Sequence, residues 1–238
     1  MCSSSSRTDP RYARRMTGLS GAEVRRVGNH FVKRDPAVAA EAERLEWLAQ
    51  QGIKVPRIVD RRDGVLTTSV VPGVPASYDW TDEQRPAVVA TFVELARALH
   101  SLPIENCPFR RDLGTTMAEA RSRVAAGLVD LNNLEDSYAG WTGEQLLAEL
   151  ERTRPSSEDL VVCHGDLTPD NVLVDPRTGR LTGVIDVGRL GVADRWLDLA
   201  ILRRELTEEP FAAFLAGYEL TGPDQDKLEF YILLDEFF

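Results

Sequence analysis

His164-Gly165-Asp166, then Asn171, then Asp186 within Ile185-Asp186-Val187-Gly188-Arg189, carry in order the groups that phosphoryl transfer needs. That chemistry asks a protein for positioning and charge neutralisation rather than covalent work. Asp166 is the residue to orient an acceptor hydroxyl and take its proton. Asn171 and Asp186 offer the hard oxygen atoms that Mg²⁺ accepts beside phosphate and water. His164 is expected to hold the loop by hydrogen bonds and not to meet substrate. H-G-D alone would read as an ordinary turn; the four residues in this order, set among apolar runs, do not.

Those apolar runs supply the scaffold. Leu160-Val161-Val162-Cys163 leads into the motif, Val172-Leu173-Val174 leaves it, and Leu181-Thr182-Gly183-Val184-Ile185 brings in Asp186. Asp175-Pro176-Arg177-Thr178-Gly179 is the turn between the last two, so the pattern is strand, loop, hairpin. The hairpin is expected to set Asp166 and Asp186 at one end of the same small sheet.

Upstream, Ala22-Glu23-Val24, His30-Phe31-Val32-Lys33 and Val65-Leu66-Thr67-Thr68 are short strand-like runs. A helix over 38–51 interrupts them, with Ala42, Leu45, Leu48 and Ala49 at helical spacing. Val71-Pro72-Gly73-Val74-Pro75 is a linker. Helices dominate from Thr81 onward. Thr81 with Gln84, and Thr142 with Gln145, are capping-box patterns, and a last helix covers 224–236. His100 at the end of one helix reads as a terminal or packing residue, and Trp47, Trp141 and Trp196 as packing anchors. The expected fold is α+β and bilobal: a small β-rich lobe over 16–71 and a larger, mainly helical lobe over 72–238. Residues 1–15 read as a disordered leader, charged and serine-rich without the apolar core of a secretory signal. Lys33, directly after an apolar strand, is the lysine for nucleotide phosphates; by itself it would pass for a strand-end surface charge.

Composition sets outer bounds. With 238 residues, 43% of them hydrophobic, the chain can bury a substantial core. A formal charge of −10 disfavours nucleic acid and anionic membrane as partners and favours a cationic substrate. Cys2, Cys107 and Cys163 show no metal-ligand spacing. Cys163, in a strand, reads as a small buried hydrophobe, and the sparse set suits a reducing cytoplasm.

The stretch CHGDLTPDNVLVDPRTGRLTGVIDVGRLGVADRWLDLA resembles the aminoglycoside phosphotransferases, antibiotic kinases of protein-kinase-like fold. YILLDEFF and AGLVDLNNLEDSYAGWTGEQLLAEL resemble the branch that acts on the 3′-hydroxyl of kanamycin and neomycin. The resemblance runs from about Thr17 to Phe238. It implies that Lys33 binds the α- and β-phosphates with Glu41 as its helix partner, Glu43 being the neighbour that a different register would select. Ser20 in Gly18-Leu19-Ser20-Gly21-Ala22 falls where a loop serine meets phosphate. Phe31 matches an aromatic that stacks on adenine, and Ser69 to Val71 form the hinge that meets adenine through backbone groups. Arg189 falls where an arginine orients Asp166 or nearby acids.

The same resemblance implies a substrate pocket of acids. Glu135 and Asp136 match one acidic loop, with Asn133 in place of an acid found in some members. Arg204, Glu205 and Glu208 match a second group, and Asp235, Glu236 and the carboxylate of Phe238 a third. Acids at a helix C-terminus are locally unfavourable, and a polyamine sugar is the expected counter-charge. The N-terminus and the region 209–220 are shorter than is usual in the family. The expected activity is ATP- and Mg²⁺-dependent phosphorylation of an aminoglycoside hydroxyl, giving a product that no longer binds the ribosome. No obligate protein partner is expected. Two other readings stay open from sequence: a kinase of this fold for another small hydroxyl compound, and a nucleotide-binding sensor without turnover.

Overall fold

The computed structural model describes residues 23–238. The leader 1–15 and the Ser20 loop lie outside the described residues. Strands β1 (Glu23–Val27), β2 (His30–Arg34), β3 (Ile58–Arg62) and β4 (Val65–Ser69) form one antiparallel sheet in the order β1-β2-β4-β3. Strand β3 has no counterpart in the sequence reading: Ile58-Val59-Asp60-Arg61-Arg62 is charged, sits at the sheet edge, and shifts register against β4 between Ile58 and Asp60. Helix α1 (Val38–Gln50) packs on β3 and β4 through Val38, Ala42, Leu45 and Leu48, all buried. Their spacing puts Glu41 on the buried side as well, whereas Glu43 is exposed.

The larger part holds α2 (Arg85–His100), α3 (Leu113–Ala125), α4 (Gly143–Arg152), α5 (Trp196–Glu205), α6 (Glu208–Tyr218) and α7 (Gln225–Asp235). Every residue of α5 from Trp196 to Leu202 is buried, so this helix is the axis of the core. Helix α7 packs along it and α6 packs on α2. The architecture is α+β, a small antiparallel sheet with one helix above a mainly helical body. No helix among the described residues is long and apolar enough to cross a membrane.

The short strands around the motif differ from expectation. Strand β6 (Leu160–Cys163) pairs with β9 (Gly191–Asp194), while β5 (Val74–Pro75), β7 (Val172–Val174) and β8 (Leu181–Val184) make a separate sheet in the order β5-β7-β8. The hairpin β7–β8 is as read, but Asp166 and Asp186 stand between two sheets and not at one end of a single sheet. Strand β9 escaped notice because Gly191-Val192-Ala193-Asp194 is buried throughout and has no alternation to detect.

The two capping patterns diverge as well. Thr142 and Gln145 form the complete reciprocal box at the start of α4. Thr81 and Gln84 form only half of one, since α2 begins later, at Arg85, with Pro86 in its first turn. Replacing Thr142 by Ala should cost about 1 kcal/mol, lowering the melting midpoint by about 2–4 °C with unchanged kinetics. Calorimetry beside a steady-state assay checks both halves.

Candidate active site

Catalytic-loop geometry starts from a glycine. Gly165 has φ +83°, and a Cβ there would stand 2.2 Å from Arg189 O, so no other residue fits without moving the chain after Asp186. The amides of His164 and Gly165 both donate to Asp198 on α5, at 2.8 Å to Oδ2 and 2.8 Å to Oδ1. His164 Nε2 donates to Ile185 O at 3.2 Å, which leaves Nδ1 to accept from the Asp166 amide at 3.3 Å. Both imidazole nitrogens are thus spent inside the loop, as expected from the sequence. They also tie the Asp166 loop to the residue before Asp186.

Asn171 Nδ2 donates to Asp166 O and Oδ2, both at 2.9 Å. Its amide oxygen is the ligand atom left over. Asp186 sits in the left-handed region at φ 54°, a strained backbone that sites of this kind sustain, and its carboxylate is partly exposed. Lys33 Nζ lies 2.8 Å from Glu41 Oε2 and 2.9 Å from Asp186 Oδ1. Burial alone would lower the Lys33 pKa, but the Asp186 and Glu41 carboxylates outweigh it and hold the ammonium above its ordinary value. Burial raises the Asp166 carboxyl against the pull of Arg189 and His164, with Asp235 and Asp186 adding to the rise. The donor set of one carboxylate and one amide oxygen fits Mg²⁺, which takes a few protein oxygens and keeps the remaining positions for phosphate and water.

The structure gathers most of the predicted acids, with an unexpected arrangement of charge. Asp235 Oδ1 is 2.7 Å from Arg189 Nη1 and its Oδ2 is 2.8 Å from Arg204 Nη1. Arg204 Nε lies 3.3 Å from Glu205 and 3.9 Å from Glu135. The Glu135 amide donates to Glu236 Oε2 at 3.2 Å. The counter-charge for Asp235 is therefore internal, which corrects the expectation that the helix-terminal acid awaits one from a ligand. Arg189 pairs with this nearby acid and reaches Asp166 only through its field. Burial pushes the Glu236 carboxyl up to about 7; the Glu135 amide and Arg204 pull it down, while the Glu135 and Asp235 charges add to the rise.

The chain end is packed. Phe237 is fully buried, and its carbonyl accepts from Arg123. Three guanidiniums surround the Phe238 ring, with Arg111 at 4.7 Å, Arg189 at 5.7 Å and Arg123 at 6.0 Å from its centroid. Two predicted residues stand apart. Asp136 is exposed at the start of a single 3₁₀ turn, and Glu208, 85% exposed, pairs with Arg203 outside the Asp235 cluster. Among the nucleotide residues, Phe31 is half-buried in β2 opposite Thr68. The Ser69 amide donates to Arg57 O and its hydroxyl oxygen accepts from the Arg57 amide, so the Ser69 amide is not free for adenine. Val71 follows β4, half-buried.

Asp198 is the functional residue that sequence reasoning passed over. The signal was present, since a lone Asp in the apolar run Trp196–Leu202 must be paired if buried. His100 joins it: Nε2 is 3.2 Å from Asp198 Oδ2 and Nδ1 is 2.6 Å from Tyr218 Oη. Cys163 lies close to both, but its thiol donates to Asp194 O at 3.3 Å, and burial pushes its pKa well up, as befits an inert buried thiol.

Residues 5–231 match the family model described as "Phosphotransferase enzyme family". The chain is 57% identical over 213 residues to an aminoglycoside 3′-phosphotransferase of Streptomyces fradiae, covering 84% of this chain and 80% of that one. A crystal structure of a type VIII aminoglycoside 3′-phosphotransferase superimposes with a TM-score of 0.85 at 50% identity, covering 93% of this chain and 91% of the other. An aminoglycoside phosphotransferase from Streptomyces rimosus, solved with ADP and streptomycin, gives 0.79 at 33% identity over 92% of this chain and 93% of that one.

Asp198→Asn removes one of the two acceptors that the loop amides share. A buried amide left unpaired costs about 1–3 kcal/mol, so turnover should fall about ten- to a hundredfold in a folded protein with near-normal nucleotide affinity. Steady-state rates beside a nucleotide titration test this.

Proposed function

The chain belongs to the phosphotransferase enzyme family, and from that premise we propose that it transfers the γ-phosphoryl group of ATP to an aminoglycoside hydroxyl. The acceptor is the 3′-hydroxyl of kanamycin- and neomycin-type compounds, and the outcome is resistance to them. The observation that carries this reading is the convergence of Asp166, Asn171, Asp186 and the Lys33–Glu41 pair beside the acids Glu135, Glu205, Asp235 and Glu236. Similarity to proteins named aminoglycoside 3′-phosphotransferase supports the choice of acceptor.

In this reading the nucleotide lies between a lobe of residues 16–71 and one of residues 72–238. Lys33 pairs with phosphate oxygens, Phe31 and the Ser69–Val71 hinge meet the base, and Ser20 covers the phosphates. Asp186 and the Asn171 amide oxygen would hold Mg²⁺, whose charge neutralises the triphosphate. Asp166 accepts the hydroxyl proton as the oxygen attacks in line, and its raised pKa makes it a better base than an exposed carboxylate. Arg189 and Arg204 set the Asp235 carboxylate, leaving Glu135, Glu205 and Glu236 to receive substrate ammonium groups, with Phe238 beside them. Asp136 and Glu208 serve at the rim. The cytoplasm, where ATP is plentiful, is the proposed location.

Coupled ADP release with kanamycin, and with tobramycin, which lacks the 3′-hydroxyl, tests the reaction and its site together. Turnover of kanamycin alone is expected; equal turnover would move the acceptor elsewhere, and silence with both would overturn the reading. Asp166→Asn should lose about 10²–10⁴-fold in rate while still binding Mg-ATP.

Glu236 adds a pH signature. Below its pKa the carboxyl is neutral and above it the carboxylate attracts ammonium, so kcat/KM for kanamycin should climb severalfold between about pH 6 and pH 8. Glu236→Gln should flatten that climb. A profile of the same slope in the variant would remove Glu236 from the pocket.

A further inference from the structure

One cationic side chain joins the two lobes at the phosphate end of the site and has no part in the mechanism above. Arg44 lies on α1 three residues beyond Glu41, a spacing that puts both on neighbouring parts of the same helix face. Its Nε donates to Leu190 O at 2.8 Å, and its Nη1 donates to Ala40 O at 3.0 Å in its own helix. The guanidinium also rests 4.5 Å from the centroid of the Phe109 ring. Arg44 therefore touches three separate pieces of chain: the helix that carries Glu41, the segment before α3, and the turn that opens with Asp186.

Each of those pieces is anchored independently. Phe109 O accepts from the Val192 amide at 2.8 Å, which fixes the segment to β9. Leu190 is fully buried and its amide closes the turn on Val187 O at 3.0 Å. On the helix side, Trp47, one position short of a further turn from Arg44, donates Nε1 to Asn106 O at 3.0 Å and meets Phe109 edge-on at 6.2 Å. Helix α1 packs on β3 and β4 of its own lobe and also lies directly against the Val187–Arg189 turn. The contacts of Arg44 and Trp47 with the larger lobe thus bear on how α1 is turned relative to Asp186.

We propose that Arg44 is a positioning residue: by bonding Leu190 O and capping Phe109 it fixes the rotation of α1 over the Asp186 turn. Glu41 and Lys33 are thereby held at the phosphate site before nucleotide arrives. The inference rests on the reading of Lys33, Glu41 and Asp186 as the phosphate and metal residues. A guanidinium suits the task because it can donate to two carbonyls while lying flat on an aromatic face, which an ammonium cannot do as well. The acceptor acids come from other elements, so the effect of Arg44 falls on the nucleotide side of the site.

Arg44→Met keeps an apolar stem against Phe109 and removes the donors; Arg44→Lys restores one donor and the charge. Affinity for a fluorescent ATP analogue with Mg²⁺, measured without any aminoglycoside, is the primary readout, followed by steady-state kinetics and the melting midpoint. The methionine variant should lose about tenfold or more in kcat/KM for ATP and bind the analogue more weakly. Its KM for kanamycin should stay within about twofold, and the lysine variant should recover part of the loss. Wild-type nucleotide parameters in Arg44→Met would overturn the proposal. So would losses spread equally over ATP and kanamycin in step with a lowered melting midpoint, the mark of a merely structural role. If the wild-type chain binds Mg-ATP but phosphorylates no aminoglycoside, the acceptor reading fails while the nucleotide comparison still decides on Arg44. A wild-type chain that binds no Mg-ATP would overturn both.

Discussion

A single buried carboxylate organises this site. Asp198 is wholly enclosed on the central helix, and a charge in that position is tolerated only if its oxygens are fully engaged. The amides of His164 and Gly165 engage them, and His100 adds a third contact. Because those amides open the Asp166 loop, desolvation of one group in the core dictates the backbone path of the loop. The left-handed Gly165 completes the same bend where Arg189 O leaves no room for a side chain. From there His164 passes the constraint to Ile185 and so to Asp186. The catalytic geometry is thus held from beneath, by the buried stretch Trp196–Leu202 of the central helix.

The acidic cluster around Asp235 is governed by a different balance. A chain with a net charge of −10 crowds acids at one end of α7, and self-repulsion there is relieved by arginines drawn from two elements. Arg189 and Arg204 grip Asp235 from both sides, while Arg111, Arg123 and Arg189 close around the terminal aromatic ring. The cluster is therefore a mixed ionic network, and within it burial pushes the Glu236 carboxyl up to about 7. Arg189 belongs to both halves of the site, following the Asp186 turn and ending on Asp235.

Much of this could be read in the residues. The phosphoryl-transfer set was legible because its groups lie in order within one short stretch, and the β7–β8 hairpin because its turn is rich in breakers. Lys33 needed the downstream motif, and Glu41 the resemblance, to single them out, and the register of α1 then chose Glu41 over Glu43. Strands β3 and β9 were not legible: one is charged along an edge and the other buried without alternation, so neither shows a period of two. Asp136 and Glu208 matched by position but stand apart from the Asp235 cluster, since alignment fixes a place in the chain and not the direction of a side chain.

Sequence alone determined the chemistry, because the identities of Asp166, Asn171, Asp186 and Lys33 restrict what the site can catalyse whatever the fold does in detail. It also pointed to the fold class, through short strand-like runs in the first third and helical spacing from Thr81 onward. Tertiary structure decided how charges pair. Asp235 meets Arg189 and Arg204 across separations of 46 and 31 residues, and Asp198 meets the loop across 34 and 33. Contacts of that range leave no periodic trace in the chain. They arise when packing removes water from groups that must then find partners among whatever the fold brings near.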